Sequence, residues 1–229
     1  MKDHCVIAID GPAGAGKSTV AKMLAGRLKF LYLDTGAMYR AVTLYYSENN
    51  IPVDYMATVT SELDKINIEV KMAGDNGGEM IILNGRDVTD SIRTPAISDK
   101  VSRISVYPEV RKKLVELQRK VARNSRIVIE GRDIGSVVFP DADVKFYIDA
   151  NLEVRAKRRY LELIEKGCRV IIDDVIKEIE ERDRRDSTRE LSPLRIPDDA
   201  VIVDTSFLGT DEVVERMYNL VKGKNDIYA

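Results

Sequence analysis

Two glycines with four residues between them, followed at once by a lysine and a hydroxyl residue, frame the run Gly11-Pro-Ala-Gly-Ala-Gly16-Lys17-Ser18. This is G-x-x-x-x-G-K-[ST] at every fixed position, and its chemistry is phosphate binding. Glycines let successive backbone N–H groups turn inward around a phosphate chain, and a helix N-terminus adds partial positive charge. Lys17 can reach β- and γ-phosphates, and the Ser18 hydroxyl can ligate Mg²⁺. The residues expected to bind a nucleoside triphosphate are therefore Gly11, Pro12, Ala13, Gly14, Ala15, Gly16, Lys17, Ser18 and Thr19, with Ser18 the metal ligand and Mg²⁺ the cofactor. The context fits. Val6 to Ile9 is a β-branched apolar run that reads as a buried strand, and Val20, Leu24 and Leu28 recur at helical spacing with Ala21 and Ala25 beside them. A glycine-rich turn with an exposed lysine would not need those flanks.

A second set of polar residues follows other apolar runs. Asp34-Thr-Gly-Ala-Met-Tyr-Arg40 comes directly after one, at the strand edge where open α/β sheets bind ligands. Thr35 and Arg40 could hold an anionic acceptor there, Arg40 as a fork on phosphate oxygens. A surface ion pair plus a helix cap accounts for them equally well. Glu130-Gly-Arg132-Asp133-Ile-Gly135 ends another run, where Arg132 and Asp133 either meet a ligand or close a tight turn with a salt bridge. Arg182, Asp186 and Arg189 fall at i, i+4 and i+7, on one helix face. Base before acid is the weaker order for an internal helix pair, so helix stabilisation alone explains them poorly.

Elements must hold these residues in place. The 229 residues, 44% hydrophobic and 32% charged with formal net charge −2, describe a globular chain with no basic excess for nucleic acid or membrane. Cys5 and Cys168 suit a reducing compartment, and the single histidine, His4, excludes a His-based metal site or triad. No apolar run has membrane-span length and no signal-peptide layout is present, so the expected location is the cytoplasm. Apolar runs at Phe30–Leu33, Ile127–Ile129, Val144–Ile148 and Ala200–Val203 join the first. They suit a parallel sheet covered by helices, including Pro108–Asn124 and a closing helix from near Asp211 to near Gly223. The fold class expected is α/β, a doubly wound core of five parallel strands. Two stretches break the alternation: Ile66 to Arg93, read as an inserted antiparallel hairpin turning at Gly74–Gly78, and Arg155 to Arg189, densely charged and helical with a break at Gly167.

The strings IAIDGPAGAGKSTVAK, DTGAMYRA, GRDIGSVVFPDA and ERDRRDSTR, in that order, resemble bacterial cytidylate (CMP) kinases of the P-loop nucleoside monophosphate kinase superfamily. The similarity spans essentially the whole chain. It implies a P-loop core (1–37, 105–154 and 191–229), an acceptor-binding region enlarged by a small antiparallel sheet (38–104) and a helical lid (155–190). It also implies γ-phosphoryl transfer from MgATP to CMP or dCMP without a general base, by a monomer that binds neither nucleic acid nor membrane. Thr35, Arg40, Arg132 and Arg189 would hold the CMP phosphate, with Thr35 where many relatives have serine. Ser102, Arg111 and Asp133 would read cytosine, and Arg182 with Asp186 the ribose. Lys17, Arg132, Arg158 and Arg189 would be the catalytic cations, with Arg155 and Arg159 as further lid candidates. Ser102 and Arg111 lie in SRISVYPEVR, which by pattern is ordinary helix surface, so they rest on the resemblance alone. A carboxylate at Asp133 accepts from the cytosine amine and repels the uracil carbonyl, which favours C over U. Rival readings are a kinase for UMP, AMP or shikimate, a P-loop switch, and an arginine-rich nucleic-acid binder. Asp133 weighs against UMP and the inserted hairpin against a compact shikimate-kinase layout, the absence of an N-K-x-D run against a GTPase switch, and the interleaved acids against a nucleic-acid binder.

Overall fold

The computed structural model describes residues 4–73 and 78–224. Five parallel strands form the main sheet in the order β2-β6-β1-β7-β8. They are β1 (Cys5–Asp10), β2 (Leu31–Asp34), β6 (Arg126–Glu130), β7 (Val144–Asp149) and β8 (Val201–Asp204). All six residues of β1 are buried, as an apolar central strand covered on both faces must be. Its alternation splits the core. Val6 and Ala8 join one apolar layer with Leu33, Ile127 and Ile129, beneath α2 (Thr35–Glu48) and α5 (Pro108–Ala122). Cys5, Ile7 and Ile9 join the other with Phe146 and Ile148, beneath α1 (Lys17–Leu28) and α8 (Thr210–Gly223).

Register matters more to the site than the layers do. Ile9 and Asp34 both pair with Glu130, so β1, β2 and β6 end side by side. The loops that begin at Gly11 and Gly131, and the helix that begins at Thr35, therefore leave the sheet at one edge.

The first departure from the alternation holds a three-stranded antiparallel sheet of β3 (Ile68–Ala73), β4 (Gly78–Leu83) and β5 (Arg86–Asp87), flanked by α3 (Met56–Glu62) before it and α4 (Pro95–Ile104) after it. The expected hairpin thus gains a third, two-residue strand; its turn over 74–77 lies outside the described residues, as does the tail over 225–229. The sheet is packed into the larger core through Ile68, Ile81 and Leu83, so it is an extension of that core rather than a loose appendage. The charged stretch forms α6 (Leu152–Glu165) and α7 (Ile172–Thr188), with Gly167 at φ +76° in the turn between them. Ala156, Leu163, Val175 and Ile179 make a small core of their own there. Among the described residues no helix is long and apolar enough to cross a membrane.

Candidate functional site

A cleft of about 660 Å³ opens at that shared strand edge. Ala13 to Thr19 line one side, while Gly11 and Pro12 stay behind it. Gly11 is needed where the chain leaves β1: a Cβ there would lie 2.0 Å from the Ile148 carbonyl oxygen, and its φ is +149°. No side chain caps α1 among the described residues, and its first turn carries no acid. The amides at this helix start therefore face the cleft with the electrostatics an anion prefers. Lys17 is buried and donates from Nζ to the Pro12 carbonyl at 2.6 Å. Burial, then Arg132, pulls its ammonium down to about 7, with Glu130 opposing.

Glu130 closes the floor. Tyr32 donates its hydroxyl to Oε1 at 2.7 Å, and the Ser18 hydroxyl is a further neighbour of this carboxylate. Burial and neighbouring Asp34 raise Glu130 above the usual carboxylate range, against Lys17, Ser18 and Tyr32. Among the described residues no cluster of three or more His, Cys, Asp or Glu could hold a metal alone. A serine hydroxyl beside a buried carboxylate is nonetheless a donor set that fits Mg²⁺. That ion takes one or two protein oxygens and fills its octahedron with phosphate oxygens and water.

The other side of the cleft is assembled from four parts of the chain. Thr35 Oγ1 donates to the Glu130 carbonyl at 2.8 Å. Asp34 caps α2, its Oδ1 accepting from Ala37 N at 3.2 Å, and also pairs with Arg40. The cap expected of this turn is thus Asp34, and Thr35 faces the cleft. Burial pushes Asp34 up, but Arg40 and Arg93 outweigh it and hold the carboxyl below its usual range. Arg132 Nε donates to Asp186 Oδ2 at 3.0 Å, so Asp186 takes its partner across the cleft rather than from Arg182 on its own helix. Arg111 pairs with Asp133, and Arg189 approaches the same carboxylate at 3.5 Å. Ser102 and Arg111, helix surface by pattern, are in fact buried at the cleft wall. Ser102 Oγ accepts from Arg185 Nη1 at 2.7 Å, a contact between α4 and α7.

Burial decides which of these pairs count. Arg27–Glu215, with side chains 41% and 51% exposed, is screened by water and adds little. Arg111–Asp133, at 7% and 9%, would leave a buried charge stranded if either partner were lost, a cost of about 3–5 kcal/mol. Arg182 stands apart. It lines the cleft, makes no ion pair among the described residues, and is lowered to about 10 by burial and then by Arg132. Arg132 thus lowers both Lys17 and Arg182, and Arg182 adds to the lowering of Lys17. Three mutually repelling cations around one cleft call for a polyanion.

Of the charged-helix arginines, Arg158 lines the cleft and donates to the Thr205 carbonyl at 2.6 Å. Arg159 also lines it and pairs with Glu162 at 3.0 Å. Arg155 is spent differently: it donates to the Ala150 and Ala13 carbonyls at 2.8 and 2.9 Å and pairs with Asp183, tying α6 to the glycine loop. Three residues at the site escape sequence reasoning. Asp10 signalled itself only as an acid ending an apolar strand. Glu79 reaches from β4 to accept from Asp34 N at 2.8 Å, and its carboxyl is raised to about 8 by burial and by Asp34. Arg93 lines the cleft 3.7 Å from Glu79. Neither Glu79 nor Arg93 lies in a pattern that marks it.

Fold and glycine loop together define a P-loop phosphotransferase. The model of the family described as cytidylate kinase matches residues 7–223. A cytidylate kinase of Carboxydothermus hydrogenoformans is 51% identical over 96% of this chain and 99% of its own length. One from Caldanaerobacter subterraneus subsp. tengcongensis is 50% identical over 94% of each. The chain belongs to the cytidylate kinase family. In structure it is similar to a gluconokinase from Sinorhizobium meliloti 1021, with TM-score 0.51 over 100% of this chain and 98% of that one, at 12% identity, a likeness of fold alone.

Proposed function

We propose that this chain transfers the γ-phosphoryl group of MgATP to CMP or dCMP, giving ADP and CDP or dCDP. The observation that carries it is the cluster of Lys17, Arg132 and Arg182, three cations whose mutual repulsion two phosphate chains would relieve. The glycine loop, Lys17 and Arg158 take the donor. Thr35, Arg40, Arg132 and Arg189 take the acceptor phosphate, Ser102, Arg111 and Asp133 the base, and Arg182 with Asp186 the ribose. Bound Mg²⁺, held by Ser18 with Glu130 behind it, would neutralise charge on the donor phosphates.

An acceptor phosphate is already largely ionised near neutral pH, so no residue need take its proton. Catalysis is then in-line positioning plus cations where charge spreads, Lys17, Arg132, Arg158 and Arg189. Arg111 pairs with Asp133, and on this reading the two face the base. A carboxylate there accepts from the cytosine amine and opposes a carbonyl. On this reading the chain divides into a core (1–37, 105–154 and 191–229), an acceptor region (38–104) and a lid (155–190) that excludes water when it closes. A monomer in the cytoplasm is the setting it implies.

The test is ADP release with MgATP against CMP, dCMP, UMP, AMP, GMP and shikimate. Turnover with CMP and dCMP well above the rest is expected. Equal turnover of UMP would discard the role given to Asp133, and no acceptor-dependent release would discard the kinase.

A further inference from the structure

We infer that Asp10 is a positioning residue for the acceptor, a strut that fixes Arg132 and Asp133 relative to the phosphate loop. The inference rests on reading the cleft as a cytidylate kinase site. Asp10 ends a strand whose other residues are all apolar, and it is 1% exposed. Phosphate binding does not ask for it: an acid next to Gly11 repels a triphosphate. It makes no ion pair among the described residues. Its two oxygens are used otherwise. Oδ1 accepts from Ile134 N and Oδ2 from Gly135 N, each at 2.7 Å.

Those two consecutive amides open a π turn, Ile134–Val138, with Phe139 N bonded to the Ile134 carbonyl at 2.7 Å. Such turns are rare and concentrate at functional sites. Arg132 and Asp133 are the two residues just before it. Upstream, Gly131 N donates to the Ile9 carbonyl at 3.0 Å. The segment that carries both acceptor-facing side chains is therefore pinned at each end by the last two residues of β1. It has little room to slide: a Cβ on Gly131 would lie 2.7 Å from Thr35 Oγ1, and one on Gly135 3.1 Å from Lys145. Because Asp10 is bonded directly to Gly11, whatever moves this carboxylate moves donor loop and acceptor segment relative to each other. Only a carboxylate of this length offers two acceptors to two adjacent amides. In Asp10→Asn one acceptor becomes an NH₂ group, and a backbone N–H faces a donor.

The experiment is steady-state kinetics of Asp10→Asn with CMP, UMP and ATP varied in turn, alongside thermal melting. Loss of one buried acceptor predicts a CMP KM raised roughly tenfold and a CMP-over-UMP preference reduced by a similar factor, with the ATP KM within about twofold. A merely structural role would lower the melting temperature and leave the CMP-to-UMP ratio alone; that result, or an unchanged CMP KM, overturns the inference. Should Asn not fold, Asp10→Ser, which keeps one acceptor in a smaller volume, is expected to shift the same two quantities. In wild-type protein, CMP should slow amide exchange at Ile134 and Gly135, and no effect of CMP there also counts against the strut. Failure of the underlying reading looks different: the wild-type protein itself would release no ADP in response to CMP.

Discussion

The two halves of the cleft handle charge in opposite ways. The donor side is one continuous stretch, Ala13 to Thr19, presenting backbone amides and a helix start that no side chain caps. Its Lys17 donates to the Pro12 carbonyl rather than to a carboxylate. The acceptor side is stitched from α2, α4 with α5, the segment after β6, and α7 with the loop beyond it. Most of its cations already hold a carboxylate: Arg40 with Asp34, Arg111 with Asp133, Arg132 with Asp186. On the proposed reading a donor takes Lys17 and Arg158 from backbone carbonyls, whereas an acceptor must displace carboxylates. Preorganisation on one side favours binding, and neutralised pairs on the other favour discrimination, because only a ligand that replaces every lost partner comes out ahead.

Breaking the donor side should have the largest effect. Lys17→Ala is expected to lower kcat by roughly 10²- to 10³-fold in the ADP-release assay. Its melting temperature should hold or rise, because a buried ammonium already depressed to about 7 is removed. On the acceptor side, Asp133→Asn should cut CMP-over-UMP preference by roughly tenfold in competition kinetics. It should also lower the melting temperature, because Arg111 and Arg189 lose their shared carboxylate. A stable variant with full preference would mean that the pairs do not discriminate.

Smaller effects sharpen the contrast. Phosphates favour protonated Lys17, so MgATP binding should take up a proton above pH 7. Affinity should then weaken about fivefold from pH 7 to 8 if the free ammonium titrates near 7. Calorimetry in buffers of different ionisation enthalpy measures that uptake directly. Least of all, Asp34→Asn keeps the α2 cap while releasing Arg40 from its carboxylate. Inhibition by inorganic phosphate should tighten by about threefold, from one freed charge-assisted contact. No change would mean that Arg40 is not held back by its pair.

Legibility in the sequence follows the same divide. The donor loop reads directly because its function lies in one contiguous run between a strand and a helix, and local patterns report local structure. The strand pattern gave the five-stranded core, and the break at Gly167 separated α6 from α7. Arg111 and Ser102 read as helix surface because burial against another element leaves no local trace. The partner of Asp186 is Arg132, 54 positions away, which helix spacing alone would have assigned to Arg182. Glu79 is an acid in a strand that looks like an insertion, yet it reaches the end of β2. What escaped is what tertiary contact creates.

The helical hairpin of α6 and α7 carries one further consequence. Its private core is four buried side chains, too few to stand alone, and Ile171 beside its turn is 65% exposed. Much of its anchorage runs through Arg155 and Asp183 to the Ala13 carbonyl and amide, that is, to the glycine loop itself. The hairpin's susceptibility to a protease cutting at the 166–171 turn is therefore a gauge of how firmly the loop is held. A nucleotide that stiffens the loop should lengthen the survival of the intact chain, even though it touches no bond that the protease cuts.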